Sequence, residues 1–246
     1  MSGCSFASNT VTPSARMKPF QTQSLETTSG LRADTFSRFG MAAESDRREP
    51  VVKIKQWIEN TEAIGQLHLR GYADWLASNA QQWEKTFFLI FNETDFQPRH
   101  SFQKAQLTQF FEAHESFLAA SSEAAQKLLA QTMAVSKQQL FDEFPLNRSM
   151  TSYYLEGLAD LVSGAPLQTF QIKCQRDQAQ LAGMKARALV AMGMGSPLEL
   201  TLLDQLADAQ LSDSLDNIQL NQELSQHQYQ TQKEALLVQY VKELED

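Results

Sequence analysis

An all-α fold, a bundle of long antiparallel helices behind a disordered N-terminal tail, is predicted by three observations. Residues 51–97 and 99–144 contain no proline and almost no glycine. Both stretches carry apolar and aromatic residues at steps of three and four, the period of one helix face. Glutamine is the compositional outlier, with 28 residues, and alanine is frequent, whereas glycine (10) and proline (7) are scarce. The first two favour helix and the last two break it.

Three regions follow: a Ser/Thr-rich tail over residues 1–48, a helical bundle over 49–210 and an amphipathic C-terminal helix over 211–246. The tail is poor in aliphatic residues and cannot bury enough apolar surface to fold. Ser/Thr-rich N-termini of this kind resemble those of type III secreted proteins, which gives the tail a second reading as an export segment.

The first helix should start near Pro50, because proline is accommodated in a first turn. One face reads Ile54, Ile58, Gly65, Leu69, Tyr72, Leu76, Ala80, Trp83, Phe87 and Ile90, and Trp57, Ile64 and Trp75 widen the stripe. It should end in Asn92–Pro98. The second helix should open near Ser101, with Leu107, Phe110, His114, Phe117, Ser121, Ala125, Leu128, Thr132 and Val135 on its face. Its end is expected before Pro145, since the residue preceding a proline resists the helical region. The short link makes these two helices an antiparallel hairpin.

A third helix is expected over about Asn147–Val162, broken by Gly164-Ala165-Pro166, and a fourth over Leu167–Met192. Gly193 to Pro197 forms the second break. A shorter helix to about Gln210 and a last one over Leu215–Leu244 complete the chain. The last helix has a sparse apolar face, as in a coiled-coil seam. Either it pairs with its copy in another subunit or it packs back on its own bundle.

The net charge is −8. Residues 1–50 hold six basic and five acidic side chains, so the remainder carries −9. That field opposes nucleic acid and anionic lipid, whose binding relies on clustered Lys and Arg. Two cysteines, Cys4 and Cys174, do not make a disulfide framework, and a reducing, cytoplasmic compartment is the expectation. No run of 18 apolar residues exists, so no transmembrane segment is expected.

The sequence carries no catalytic or metal-binding constellation, and neither a cofactor nor an enzyme activity is expected. Glu112-Ala113-His114-Glu115 has the wrong spacing for a di-iron bundle. His114 sits on an apolar face, where a core histidine is the plain reading. Gly193-x-Gly195 follows a helix rather than a strand and leads to no Gly-Lys-Ser/Thr. Cys174 would need a basic environment to become a nucleophile, and Lys173 and Arg176 point to other helix faces.

The aromatic stripes of the first two helices have two readings: a bundle core, or an amphipathic surface that opens onto an apolar partner. Two segments bear on this. One is the alanine- and aromatic-bearing stretch Gln106–Leu140. The other runs from Tyr153-Tyr154 and Leu158 through Gly164-Ala165-Pro166 and Leu167, Phe170-Gln171 and Gln178 to Lys185-Ala186-Arg187-Ala188. Over these residues the chain resembles phasins, the proteins that coat polyhydroxyalkanoate granules. The resemblance implies a non-enzymatic, self-associating protein that adsorbs to a hydrophobic polymer surface and is granule-associated. Trp75, Trp83, Phe87, Phe110 and Phe117 are the contact candidates. The competing class is a secreted or packaged helical interaction protein, an effector, translocator or virion component, that binds a protein partner.

Overall fold

The computed structural model describes residues 49–90, 101–144, 150–191 and 197–245. They form four helices: α1 (Glu49–Ile90), α2 (Ser101–Glu143), α3 (Met150–Ala191) and α4 (Pro197–Glu245). No strand occurs among the described residues. The segment expected to be a disordered tail, residues 1–48, lies outside them. At 1.5 Å per residue, each helix is about 60–75 Å long.

Successive helices run antiparallel. On α1 and α2, Trp57 meets Ser136 near one end and Trp83 stacks on His114 near the other. On α2 and α3, Lys137 pairs with Asp160 and Glu115 with Lys185 at 2.8 Å. On α3 and α4, Gly157 faces Leu236 and Gly183 faces Leu211. Helices α1 and α3 are parallel, with Gly65 on Pro166 and Tyr72 against Phe170. Helix α3 thus packs against all three others and is the hub of the bundle.

The core is layered along the bundle. One end holds Ile54, Trp57, Leu140, Leu158, Val162 and Tyr240. The middle holds Tyr72, Ala125, Leu129, Met133 and Phe170. The far end holds Trp83, Leu107, Phe110, Phe111, Leu118 and Leu181. Among these buried residues α4 contributes only Tyr240, to the first layer. Elsewhere α4 lies along α3 through a narrow seam that includes Ala207, Leu211, Ile218, Tyr229 and Leu236.

Two expectations are corrected here. Pro166 does not divide α3, which runs unbroken from Met150 to Ala191 with the proline inside. An internal proline removes one backbone hydrogen bond and crowds the preceding turn. Its ring rests where α1 has no side chain: a Cβ on Gly65 would lie 2.6 Å from Pro166 Cγ. The gap between a helix to Gln210 and another from Leu215 is likewise absent, because α4 crosses residues 210–215 without interruption. The second expected break, Gly193 to Pro197, lies outside the described residues except for Pro197, with which α4 starts.

The C-terminal helix packs back on its own bundle through the seam, and a salt bridge ties it to α1. Glu62 accepts from Tyr229 Oη at 2.5 Å and from Lys233 Nζ at 2.7 Å.

Candidate functional site

The sequence-nominated aromatics come together, but inside the bundle. Trp83 and Phe110 are each 4% exposed. Their rings meet edge to face at 4.9 Å, and His114 stacks on Trp83 at 3.9 Å with 10° between the planes. Trp75 and Phe117 are half-buried and stack on each other at 5.6 Å. The Phe87 side chain lies outside the described residues. The stripe is therefore turned into the α1–α2 interface, where the aromatic edge-to-face contacts add to simple area burial. Serving as an outer contact would require the helices to part.

Beside this cluster is a cavity of about 130 Å³ between α1, α2 and α3, walled by Leu76, Trp83, His114, Phe117 and Leu181. The exposed residues Gln180 and Met184 form its rim. Its chemistry is subdued. Burial pushes the His114 imidazole down to about 4, so it is neutral near pH 7. Asp177, raised by burial, is held by Lys173 at 3.2 Å. The neighbouring Cys174 thiol is pushed up to about 11 by burial, which disfavours the nucleophilic thiolate. No group of three metal-ligating side chains exists among the described residues. What the cavity offers is apolar space, not acid–base chemistry.

The His114 environment has a measurable consequence. A buried neutral histidine binds a proton more readily when the chain unfolds, so stability should fall as pH drops from 6.5 toward 4. His68, also lowered by burial, acts in the same direction. Glu115 favours the charged His114 and is already counted in its shift. Asp177, with its raised value, opposes the trend only near its own titration. Urea unfolding should show a loss of about 1 kcal/mol between pH 7 and pH 5, after discounting for partial exposure. His114→Phe should flatten most of that slope, and an unchanged slope would contradict the buried, stacked placement.

The described residues also present an apolar surface that the sequence reading passed over. Leu198 (70% exposed), Leu202 (57%), Leu206 (55%), Leu220 (63%), Leu224 (53%) and Val238 (53%) all lie on α4. At 100° per residue they fall within an arc of about 80°, on the side opposite the α3 seam. Leu203, 48% exposed, lies about 60° beyond this arc, on the side toward Ala207 of the seam. Helix α4 is thus two-sided: one stripe is spent on α3 and the other faces water. A signal for it existed in the chain, in the four-residue steps 198–202–206 and 220–224. The narrow seam on the other side drew attention first.

Comparison with protein-family models, curated proteins and solved structures finds no match for this chain. Its class is accordingly stated from the fold: an all-α bundle of four long helices with an apolar outer face on the last. No described helix is long and apolar enough to cross a membrane.

Proposed function

We propose that this is a non-enzymatic helical protein that adsorbs to a hydrophobic surface, such as the polyester of a storage granule. The outer face of α4 is the contact. The observation that carries this reading is the row Leu198, Leu202 and Leu206, three leucines held in water on one face at the start of one helix. Contiguous apolar faces of this kind mark interaction sites. Covering the exposed part of each leucine is worth roughly 1 kcal/mol or more, so the row supplies about 3 kcal/mol per molecule. The acidic character of the chain then faces water and keeps coated particles apart. The neutral His114 and the thiol form of Cys174 agree with a binding role. The phasin-like segments agree with it too, although the contact moves from the aromatic stripes to α4.

Co-sedimentation with polyester particles tests the proposal. The full chain should adsorb saturably and resist salt, because burial of apolar area is not screened. Leu198→Asp/Leu202→Asp should adsorb at least 10-fold more weakly while keeping its helical circular dichroism, as about 1.4 kcal/mol per tenfold requires only part of the row. Equal adsorption by the two proteins, or none by the unaltered chain, would refute it. The Ser/Thr-rich composition of residues 1–48 supports the second reading, an exported interaction protein. Deleting residues 1–45 should leave adsorption intact in the first case and abolish export in the second.

A further inference from the structure

We infer that in free solution the outer face of α4 is covered by a second copy of this chain, the two α4 helices lying antiparallel about a dyad near Gln222. This rests on reading that face as an apolar contact surface, and it names the partner that occupies it when no particle is present. Extent, register and charge support it.

The four outward side chains that the pairing covers, Leu206, Leu220, Leu224 and Val238, leave on the order of 400 Å² of apolar surface in water. That is about half of the ~800 Å² per partner of a standard interface, and the small and polar residues between them supply the remainder. The row spans Leu198–Val238, about 60 Å of helix, and a second helix of the same shape matches a straight stripe of that length.

The register follows from where the leucines sit. With the dyad near residue 222, Leu220 lies opposite Leu224 of the second copy, and Leu206 lies opposite Val238. Ala209 and Ala235, both exposed, face each other in the same frame. Leu206, Leu220, Leu224 and Val238 on one copy each find an apolar side chain on the other, as a two-fold interface demands.

Charge selects the direction. Asp213, Asp216 and Glu234 interrupt the face. A parallel, in-register pair would set each carboxylate against its own copy, which is unfavourable. The antiparallel pair instead sets Asp213 near Thr231 and Asp216 near the His227 imidazole. It also leaves Leu198 and Leu202 at the ends of the pair, beyond Val238 of the other copy, with Leu202 beside Lys242 in its last turn.

The test uses the full chain with Cys4→Ser and Cys174→Ser. Leu206→Cys and Val238→Cys are made as separate variants, mixed in equal amounts and oxidised. The expected product is a covalent dimer containing one of each, with little dimer from either variant alone, because like positions stand about 48 Å apart in the antiparallel pair. Strong self-linking of Leu206→Cys alone would show parallel pairing and overturn the inference. Sedimentation of the unaltered chain gives an independent measure: a dimer at micromolar concentration is expected, and Leu220→Lys/Leu224→Lys should convert it to monomer. A monomeric unaltered chain overturns the pairing, including the case in which residues 1–48 cover the face instead. Particle adsorption separates the two proposals. A monomer that adsorbs refutes the pairing alone, and an antiparallel dimer that ignores particles refutes the surface role alone.

Discussion

Trp83→Asp should unfold the bundle rather than merely weaken a contact. Trp83 is 4% exposed, edge-on to Phe110 and stacked on His114. Truncating a buried tryptophan costs about 3–5 kcal/mol through lost burial and the cavity left behind. Aspartate adds a carboxylate among apolar side chains, a further penalty of several kcal/mol unless it takes up a proton or shares one with His114. Against a typical total of about 5–15 kcal/mol, such a loss is decisive. Circular dichroism should show loss of most helical signal or a urea midpoint near zero. Trp83→Phe, which keeps the ring contact with smaller volume, should cost about 1–3 kcal/mol and stay folded. A folded Trp83→Asp protein with impaired particle binding would reverse the assignment and make the aromatic stripe an outward face.

Gly65→Ala is the second large effect, and it tests why Pro166 is tolerated. The added methyl would sit 2.6 Å from Cγ and 2.7 Å from Cβ of a proline ring that has no rotamer to escape into. Helices α1 and α3 must then separate locally, at about 2–3 kcal/mol. Two other glycines bracket the result. Gly71 has nothing within 4 Å of the same virtual carbon, so Gly71→Ala should stabilise by about 0.5–1 kcal/mol through helix propensity alone. Gly183 would meet the mobile end of Leu211 at 2.5 Å, which can swing aside, so its cost should be smaller than that at Gly65. Urea midpoints for the three variants should rank Gly71→Ala, Gly183→Ala, Gly65→Ala from most to least stable. Any ranking that puts Gly65→Ala level with Gly71→Ala would remove the glycine–proline fit.

The same pair of residues shows where the sequence was legible and where it was not. Long stripes at helical spacing marked α1 and α2, with the start of α1 and both ends of α2 within a residue or two of those observed, because periodicity is a local property; the expected end of α1, Asn92–Pro98, lies outside the described residues. The motifs Gly164-Ala165-Pro166-Leu167 and Gly195-Ser196-Pro197-Leu198 look alike, yet one lies inside a helix and the other flanks a helix start. What separates them is a residue 101 positions away, Gly65, which no local rule reaches. The aromatic candidates illustrate the converse. Their clustering was visible from spacing, but whether the cluster faces water or a neighbour depends on α2 lying against α1. The exposed leucines of α4 were readable in principle, since two apolar stripes on one helix need two partners.

A consequence lies in the small polar node between α1 and α2. Thr61 and Ser136 are almost fully buried, their hydroxyls meet at 2.7 Å, and Trp57 Nε1 donates to the Ser136 carbonyl at 2.9 Å. Apolar stripes that repeat every three or four residues are nearly self-similar, so two long helices could slide by a turn and still bury most of their carbon. Such a slide would strand both hydroxyls and the indole N–H away from any partner, at about 1–3 kcal/mol for each orphaned group. The node therefore acts as an alignment peg. Its modest energy goes into making one stagger of α1 on α2 the ground state, and the stacked aromatic layer about 33 Å further along inherits its alignment from it.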